Sequence, residues 1–480
     1  MNDMFFGRSE LISDMMTLWR KRVSSLVTCR GRRRIGKSTL IEQFAKRSEA
    51  RFIKIEGLRP TAKTTSADQL TNFANQLAVQ TGAESTQPQN WLSAFVRLDR
   101  ELKDKGRTVV LLDEVSWMAH GDPLFAGTLK IAWDNYFKKH PRLVFVVCGS
   151  VSTWIKENII NDGAFYGRRS MDIVVPELPL AECVRFWGTA VERIDAKEII
   201  DILSVTGGVP RYLEEIDPGV SANENIRRLC FRPKGILRED FDEMFSDVIT
   251  RLPTLTASAI RALTDGALSS VEVAQRIGKG KGGHVSDALE QLVEAGMIAV
   301  DVGKNPMTGE DTRVKRYRLK DNYSRFYLKY IEPEKAAIDS GAYFPGSLEQ
   351  LEGWQSVLGL AFENMVINNI PALLEPLGLS SSLVVSAAPF KKTGSSKSHD
   401  GVQVDLLLQT RRAVCLVEIK RKREIGRDVI DEMAEKVRRF PRRRDVSVRT
   451  ALIYEGHLAP IVEADGYFDA IIPFRRLLGI

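Results

Sequence analysis

Two residues near the N-terminus, Lys37 and Ser38, have the types and spacing that bind a nucleoside triphosphate and its metal ion. They lie in the run Gly-Arg-Arg-Arg-Ile-Gly-Lys-Ser-Thr, which matches G-x-x-x-x-G-K-S. The glycines let the backbone curl so that its amides point at phosphate oxygens. Lys37 is expected to reach the β- and γ-phosphates of ATP, and Ser38 to ligate Mg²⁺. The residues predicted to contact the nucleotide here are Gly31, Arg32, Arg33, Arg34, Ile35, Gly36, Lys37, Ser38 and Thr39.

A pair of acids, Asp113 and Glu114, follows the apolar run 108–112, which predicts a buried strand. We expect Asp113 to hold Mg²⁺ through water and Glu114 to orient or polarise the attacking water, so the pattern predicts hydrolysis as well as binding. Ser150 ends the next apolar run, 143–149. Its hydroxyl could bond the γ-phosphate or the water, although a Gly-Ser pair is equally ordinary turn chemistry.

A second constellation lies in the C-terminal third of the chain and comprises Asp405, Glu418, Lys420 and Glu363. The apolar runs 403–408 and 413–420 predict two adjacent strands, and Glu418 and Lys420, two residues apart, leave the same face. Asp405 and Glu418 would bind a hard divalent ion, preferably Mg²⁺, and Lys420 would lower the pKa of a metal-bound water or stabilise a phosphorane. Glu363 would reach the same cleft from a helix around residues 354–369.

The composition is that of an ordinary globular protein. The 480 residues are 44% hydrophobic and 27% charged, with room for roughly three or four domains. Sixty-nine Lys+Arg against 62 Asp+Glu give a net charge of +7, which favours an anionic partner. No apolar run is long enough to cross a bilayer, and the N-terminus carries no export pattern, so we expect a cytoplasmic protein without membrane contact. The scattered cysteines and histidines exclude a disulfide framework, a zinc knuckle and a His-based triad.

Several short segments together resemble the archaeal-type ATPases of the AAA+/STAND superfamily over roughly the first 240 residues. They are residues 6–11, the phosphate loop, 111–114, 148–150, 167–169 and 207–213. The resemblance implies that the base or its surroundings are contacted by Phe6, Gly7 and Arg8. It also implies that Pro210 and Arg211 lie at a lid helix near the nucleotide.

Arg168 is a candidate arginine finger by the same resemblance. A cation there would stabilise charge developing on the γ-phosphate across a subunit interface, and this role would require a homo-oligomer. A solvated arginine pair, Arg168 and Arg169, is an equally acceptable interpretation.

The middle of the chain has the order helix, capped helix, turn, helix and basic hairpin, which predicts a winged helix-turn-helix. Winged helices read DNA, but they also serve as protein-protein spacers, and the acids Asp287, Glu290 and Glu294 on the predicted recognition helix keep both interpretations open.

The C-terminal strands resemble the restriction-endonuclease-like PD-(D/E)xK core, whose αβββα order is compatible with this segment, although the leading proline is absent. Some ATPases of the resembling family carry such a domain after a winged helix. Positive charge on the helix expected to follow gathers around the predicted site and predicts a nucleic-acid partner, with DNA preferred and RNA left open. The basic residues are Arg421, Lys422, Arg423, Arg427, Lys436, Arg438, Arg439, Arg442, Arg443 and Arg444.

The sequence therefore predicts an α/β multidomain protein. The domains are a P-loop AAA+ ATPase core (1–165), a helical lid (166–245), a winged helix (246–335) and a nuclease-like αβββα domain (345–480). The predicted function is ATP hydrolysis coupled to a Mg²⁺-dependent DNA nuclease, which would suit DNA defence or mobile-element processing. The alternative is an ATP-controlled signalling or DNA-binding scaffold whose nuclease-like domain does not cut.

Overall fold

The computed structural model describes residues 5–21, 23–103, 105–150, 152–249, 253–280, 282–343, 345–392 and 401–480. Contacts divide the chain into two compact units, one formed by residues 1–178 with 244–250 and the other by residues 179–243 with 251–480. The finer division into four domains stays a prediction. No helix within the described ranges is long and apolar enough to span a membrane.

The first unit is built on a parallel five-stranded sheet in the order β2-β3-β4-β1-β5. The residues of β3 and β4 are all buried, because helices cover both faces of such a sheet and its central strands are continuous apolar runs. The carboxyl ends of β1, β3 and β4 therefore meet at one edge, where their following loops can share a site. The strands are β1 (Ser25–Arg30), β2 (Arg51–Glu56), β3 (Thr108–Asp113), β4 (Leu143–Gly149) and β5 (Arg169–Val174).

Helices of the first unit pack an aromatic core against this sheet. Phe73, Trp91, Phe95 and Phe125 meet largely edge to face, the arrangement that aromatic quadrupoles favour. The helices are α1 (Ser9–Arg20), α2 (Lys37–Arg47), α3 (Ser66–Thr81), α4 (Trp91–Leu102), α5 (Val115–Met118), α6 (Phe125–Asn135) and α7 (Ser152–Ile155).

The second unit contains two sheets. The antiparallel sheet β6-β8-β7 comprises β6 (Leu268–Ser269), β7 (Ile298–Asp301) and β8 (Arg316–Leu319). The mixed sheet β13-β12-β11-β10-β9 comprises β9 (Ser386–Lys392), β10 (Val402–Gln409), β11 (Ala413–Ile425), β12 (Ser447–Leu458) and β13 (Ala470–Pro473). In the mixed sheet β9, β10 and β11 pair antiparallel, whereas β11, β12 and β13 pair parallel. The strands that carry Asp405 and Glu418 are therefore neighbours in the sheet, as the sequence predicted.

Helices surround both sheets of the second unit, and α12 crosses the division between the units. Among them, α18 packs against β11, and α20 packs against β10 and β11. The helices are α8 (Leu180–Cys183), α9 (Ala196–Thr206), α10 (Pro210–Leu213), α11 (Ala222–Cys230), α12 (Ile236–Val248), α13 (Pro253–Ala262), α14 (Ser270–Arg276), α15 (Gly283–Glu294), α16 (Asn322–Phe326), α17 (Lys335–Asp339), α18 (Trp354–Asn368), α19 (Ile370–Leu374), α20 (Asp428–Arg439), α21 (Pro460–Ala464) and α22 (Arg475–Leu478).

Arg318 of β8 ties the small sheet to α18 through a buried polar network. Its Nε lies 3.1 Å from Asp301 Oδ1 on β7. Its two terminal nitrogens donate to Asn364 Oδ1 at 2.7 Å and Asn368 Oδ1 at 3.1 Å on α18. Because Arg318 is 8% exposed, these contacts are made away from water.

Replacing Arg318 by alanine is expected to lower the free energy of unfolding by about 3 kcal/mol, because Asp301 would be left as an uncompensated buried charge. Urea denaturation followed by circular dichroism measures the loss. Lys315→Ala, at an exposed neighbouring position, is the control and is expected to change stability by about 0.5 kcal/mol or less. Equal stability of the two variants would contradict a stabilising role for the network.

Candidate functional site

The phosphate loop connects β1 to α2 and is curled by two glycines. Gly31 has φ +154°, and a Cβ there would lie 2.8 Å from the Val175 carbonyl oxygen. Gly36 has φ 87° and is the N-cap of α2. The Nζ of Lys37 donates to the carbonyl oxygens of Gly31 at 3.1 Å and Arg32 at 3.0 Å. The loop thus wraps around the lysine that the sequence predicted to meet phosphates.

Ser38 and Asp113 lie together at the edge of the sheet, as predicted from the two motifs. The Ser38 hydroxyl donates to Asp113 Oδ2 at 2.5 Å, and the Asp113 side chain is buried. A hydroxyl and a carboxylate are the hard oxygen donors that Mg²⁺ prefers, so the pair fits the ion chemically. The Nζ of Lys54 on β2 is 3.6 Å from the same oxygen, and this contact was not predicted from the sequence.

Glu114 and Ser150 form the other half of this edge. Glu114 Oε2 accepts from the Ser150 amide at 3.2 Å and from its hydroxyl at 2.9 Å. Burial raises the pKa of Glu114, although the charge of Lys37 and the hydrogen bonds from Ser150 act to lower it. Its backbone has φ 49°, an uncommon left-handed conformation for a non-glycine residue that clusters at functional sites. The structure therefore joins Ser150 to the carboxylate predicted to act on water.

Arg8 brings the N-terminal segment against the phosphate loop. It takes a left-handed conformation after Gly7, and its Nη2 donates to the Ile35 carbonyl oxygen at 3.2 Å. Its Nη1 donates to the Glu177 carbonyl oxygen at 3.4 Å. Phe6 beside it is half-buried. The segment predicted to lie around the base is thus held beside the loop that would hold the phosphates.

The other residues of the loop differ in exposure. Arg32 is buried, and its Nη1 is 3.8 Å from Glu177 Oε1. Arg33 and Arg34 are half-buried, and Thr39 is exposed on the first turn of α2. The cations therefore lie at different depths around the loop.

The roles predicted for Arg168, Pro210 and Arg211 stay predictions. Arg168 Nε is 2.8 Å from Asp134 Oδ1, and this hydrogen bond lowers the pKa of Asp134 to about 2. Pro210 is the first residue of α10 in the second unit, where Arg211 pairs with Glu214 at 3.2 Å. Each arginine is thus engaged by a carboxylate of its own unit.

The second unit brings Asp405, Glu418 and Lys420 together on β10 and β11, as their positions in the sequence predicted. Asp405 Oδ2 accepts from the Ile419 amide at 3.0 Å. Glu418 is 1% exposed, and its Oε1 lies 2.9 Å from Lys420 Nζ. The strand pairing therefore places two carboxylates and an ammonium group in one cluster.

Glu363 on α18 joins this cluster electrostatically. Burial, followed by the charge of Asp405, raises the pKa of Glu363 to about 7. Burial, followed by the charge of Glu418, raises the pKa of Asp405 to about 6. Neighbouring carboxylates thus help to raise the pKa of both Glu363 and Asp405, and a bound cation would relieve this repulsion.

Lys436 on α20 belongs to the same cluster, whereas the sequence predicted it only as part of a basic surface. Its Nζ is 2.5 Å from Glu418 Oε2. Lys420 Nζ is 2.7 Å from Glu432 Oε2, one turn before Lys436. Burial alone would lower the pKa of Lys420, but hydrogen bonds to Glu432 and Glu418 raise it. The four-residue spacing of Glu432 and Lys436 was the available signal, since such pairs share a helix face.

The oxygen donors of Asp405 and Glu418 suit Mg²⁺ by type. In the arrangement described, however, lysine ammonium groups contact both Glu418 oxygens. Among the described residues, no three His, Cys, Asp or Glu side chains are grouped as a metal-binding cluster. A metal ion could thus bind Glu418 only if Lys436 or Lys420 gave up its contact with that carboxylate.

Residues 5–216 match a family model described as an ATPase domain predominantly from Archaea. The chain contains an archaeal-type ATPase domain. An uncharacterized protein of Methanocaldococcus jannaschii is 22% identical over 433 residues, which cover 89% of each chain. A Walker-type ATPase of Pyrococcus abyssi has a similar fold, with a TM-score of 0.52 at 16% identity over 68% of this chain and 97% of the other. The ORC2 protein of Aeropyrum pernix, at 14% identity over 71% and 97% of the two chains, has a TM-score of 0.42 and is too distant to bear on the site.

Proposed function

We propose that this protein binds ATP with Mg²⁺ at the phosphate loop and hydrolyses it. The observation that carries the proposal is the continuous edge from Ser38 through Asp113 and Glu114 to Ser150. Lys37 exchanges its loop carbonyl partners for β- and γ-phosphate oxygens, and Ser38 and Asp113 hold the ion. When bound, Mg²⁺ neutralises negative charge on those phosphate oxygens.

Glu114 orients the attacking water and accepts its proton in this proposal. A raised pKa favours that role, since a carboxylate of ordinary pKa is a weak base near neutrality. Ser150 acts as a positioning residue, because both of its donors fix one oxygen of Glu114. The other oxygen then remains the one that faces the water.

For the second unit we propose a winged helix, made by α13, α14, α15 and the small sheet, followed by a Mg²⁺-dependent PD-(D/E)xK nuclease that cuts DNA. The shared cluster of Glu363, Asp405, Glu418 and Lys420 supports the nuclease. Asp405 and Glu418 would hold the ion, Glu363 would add charge from α18, and Lys420 would stabilise the phosphorane. ATP binding or hydrolysis would control this cleavage.

A second candidate function is an ATP-controlled scaffold that binds nucleic acid without cutting it. The contact of Lys436 with Glu418 favours this candidate, because it already pairs the carboxylate with a cation of the protein where a metal ion would bind. The two functions share the ATPase and differ only in the chemistry of the second unit.

The test is incubation of the purified protein with supercoiled plasmid and with single-stranded DNA, each with and without Mg²⁺ and ATP. We expect Mg²⁺-dependent cleavage that responds to ATP. Lys37→Ala is expected to reduce ATP hydrolysis by about 10²-fold or more and to abolish the response of cleavage to ATP, because the phosphate charge loses its buried cation.

Lys46→Ala, an exposed change on the same helix, is the matched control and should leave both activities intact. Normal hydrolysis by Lys37→Ala would refute the assignment of the loop. Intact hydrolysis with no cleavage under any condition would favour the scaffold.

A further inference from the structure

A cavity of about 990 Å³ opens beside the carboxylate cluster of the second unit. Its wall includes Glu363 and Asp405, and it extends to the hairpin loop of residues 302–315 between β7 and β8. Strand β9 and strand β10, which carries Asp405, also line it through residues such as Phe390 and Gln403. Two of the proposed nuclease carboxylates, Glu363 and Asp405, are therefore reached from inside this cleft.

The hairpin loop is fixed across this cleft by contacts to the mixed sheet. The Lys304 amide lies 3.3 Å from Ser386 Oγ on β9, and Gln409 Nε2 on β10 donates to the Lys304 carbonyl oxygen at 2.7 Å. Within the loop, Lys304 Nζ is 2.9 Å from Asp311 Oδ1. These contacts hold the loop in place as one wall of the cleft.

Cationic, acidic and apolar side chains line the cleft, and four of the acids pair with cations of the same lining: Asp265 with Arg276, Glu272 with Arg316, Asp301 with Arg318 and Asp311 with Lys304. Arg313 on the loop and Lys391 and Lys392 on β9 are exposed cations of this lining. Met307 and Val314 on the loop also line it, although they are large apolar side chains with 48% and 60% of their surface exposed. Half-buried Phe390 lies next to the two lysines. Positive charge for phosphates beside apolar and aromatic surface for bases is the chemistry that binds single-stranded nucleic acid.

We propose that this cleft binds one strand of nucleic acid and leads its backbone to Glu363 and Asp405. The inference rests on the proposed nuclease and names the form of its substrate. A duplex presents its phosphates outside and admits protein elements into its grooves, whereas a cavity walled on two sides takes a strand whose bases are unstacked. The cleft therefore favours single strands, frayed ends or flaps over intact duplex.

The test measures binding of the full chain to fluorescein-labelled oligonucleotides of about 12 nucleotides by anisotropy, in EDTA so that no cleavage occurs. Single-stranded DNA, single-stranded RNA and a DNA duplex are compared. We expect tighter binding of a single strand than of the duplex. Lys391→Glu/Lys392→Glu is expected to weaken strand binding about tenfold or more and to make the slope of log K against log salt shallower by about 1.4, as expected when two phosphate contacts are lost.

Arg411→Glu/Arg412→Glu is the matched control, because it makes the same charge change at an exposed turn of the same sheet outside the cleft. Circular dichroism checks that both variants fold. Tighter binding of duplex, no binding of any strand, or equal weakening by the two double variants would overturn the proposal. Since the measurement needs no metal, an absence of cleavage in the plasmid assay would count against the nuclease alone.

Discussion

Glu114→Gln is expected to bind ATP with nearly unchanged affinity and to hydrolyse it about 10²- to 10⁴-fold more slowly. Glutamine is nearly isosteric and can still accept the hydrogen bonds from Ser150 through its amide oxygen, so the edge of the sheet keeps its shape. It cannot accept a proton from water. Equilibrium binding of a fluorescent ATP analogue and steady-state phosphate release separate the two effects.

Glu56→Gln supplies the matched control for this experiment. Glu56 ends β2 at the same edge of the sheet but is exposed. Its change removes the same charge and should leave turnover close to that of the unmodified protein. If Glu114→Gln turned over ATP at the normal rate, the assignment of Glu114 to the water would be wrong, whatever the outcome for Glu56.

The parts of the sites that the sequence could predict are those fixed by local periodicity. Ser38 and Asp113 are 75 residues apart, yet Ser38 follows the loop after β1 and Asp113 ends β3, and the ends of parallel strands meet at one edge of a sheet. Glu418 and Lys420 had to share a face, because side chains alternate along a strand. The resemblance to archaeal-type ATPases pointed to Arg8, and the structure brings it to the loop carbonyl of Ile35.

The parts that could not be predicted depend on how separate elements pack. Lys436 reaches Glu418 only because α20 lies across β10 and β11, and no spacing in the sequence fixes that placement. Lys54 reaches Asp113 because β2 happens to border β3. Ser150 was expected to bond the γ-phosphate or the water, but its amide and its hydroxyl both donate to Glu114, because β3 and β4 are neighbours and end side by side.

The role of Asp405 is best tested by Asp405→Asn. Asparagine still offers an oxygen to the Ile419 amide, so the pairing of β10 and β11 is preserved. Its oxygen carries no full charge, and a metal ion would lose one of its two carboxylates on the strands. Because such an ion supplies several kcal/mol of transition-state stabilisation, Mg²⁺-dependent cleavage is expected to fall by about 10²- to 10³-fold. Cleavage of single-stranded DNA and nicking of plasmid, each measured over time, give the rate.

Asp428→Asn controls for the loss of a negative charge, because Asp428 is exposed at the start of α20 and pairs only loosely with Lys422 at 3.3 Å. A second readout separates metal binding from damage to the fold. Mg²⁺ should raise the melting temperature of the unmodified protein and of Asp428→Asn in the absence of nucleotide, since a ligand that binds only the folded state stabilises it. Asp405→Asn should lack part of this shift. If Asp405→Asn cleaved DNA at the normal rate, the cluster on β10 and β11 would not be the nuclease site. The contact of Lys436 with Glu418 would then favour a domain that binds nucleic acid without cutting it.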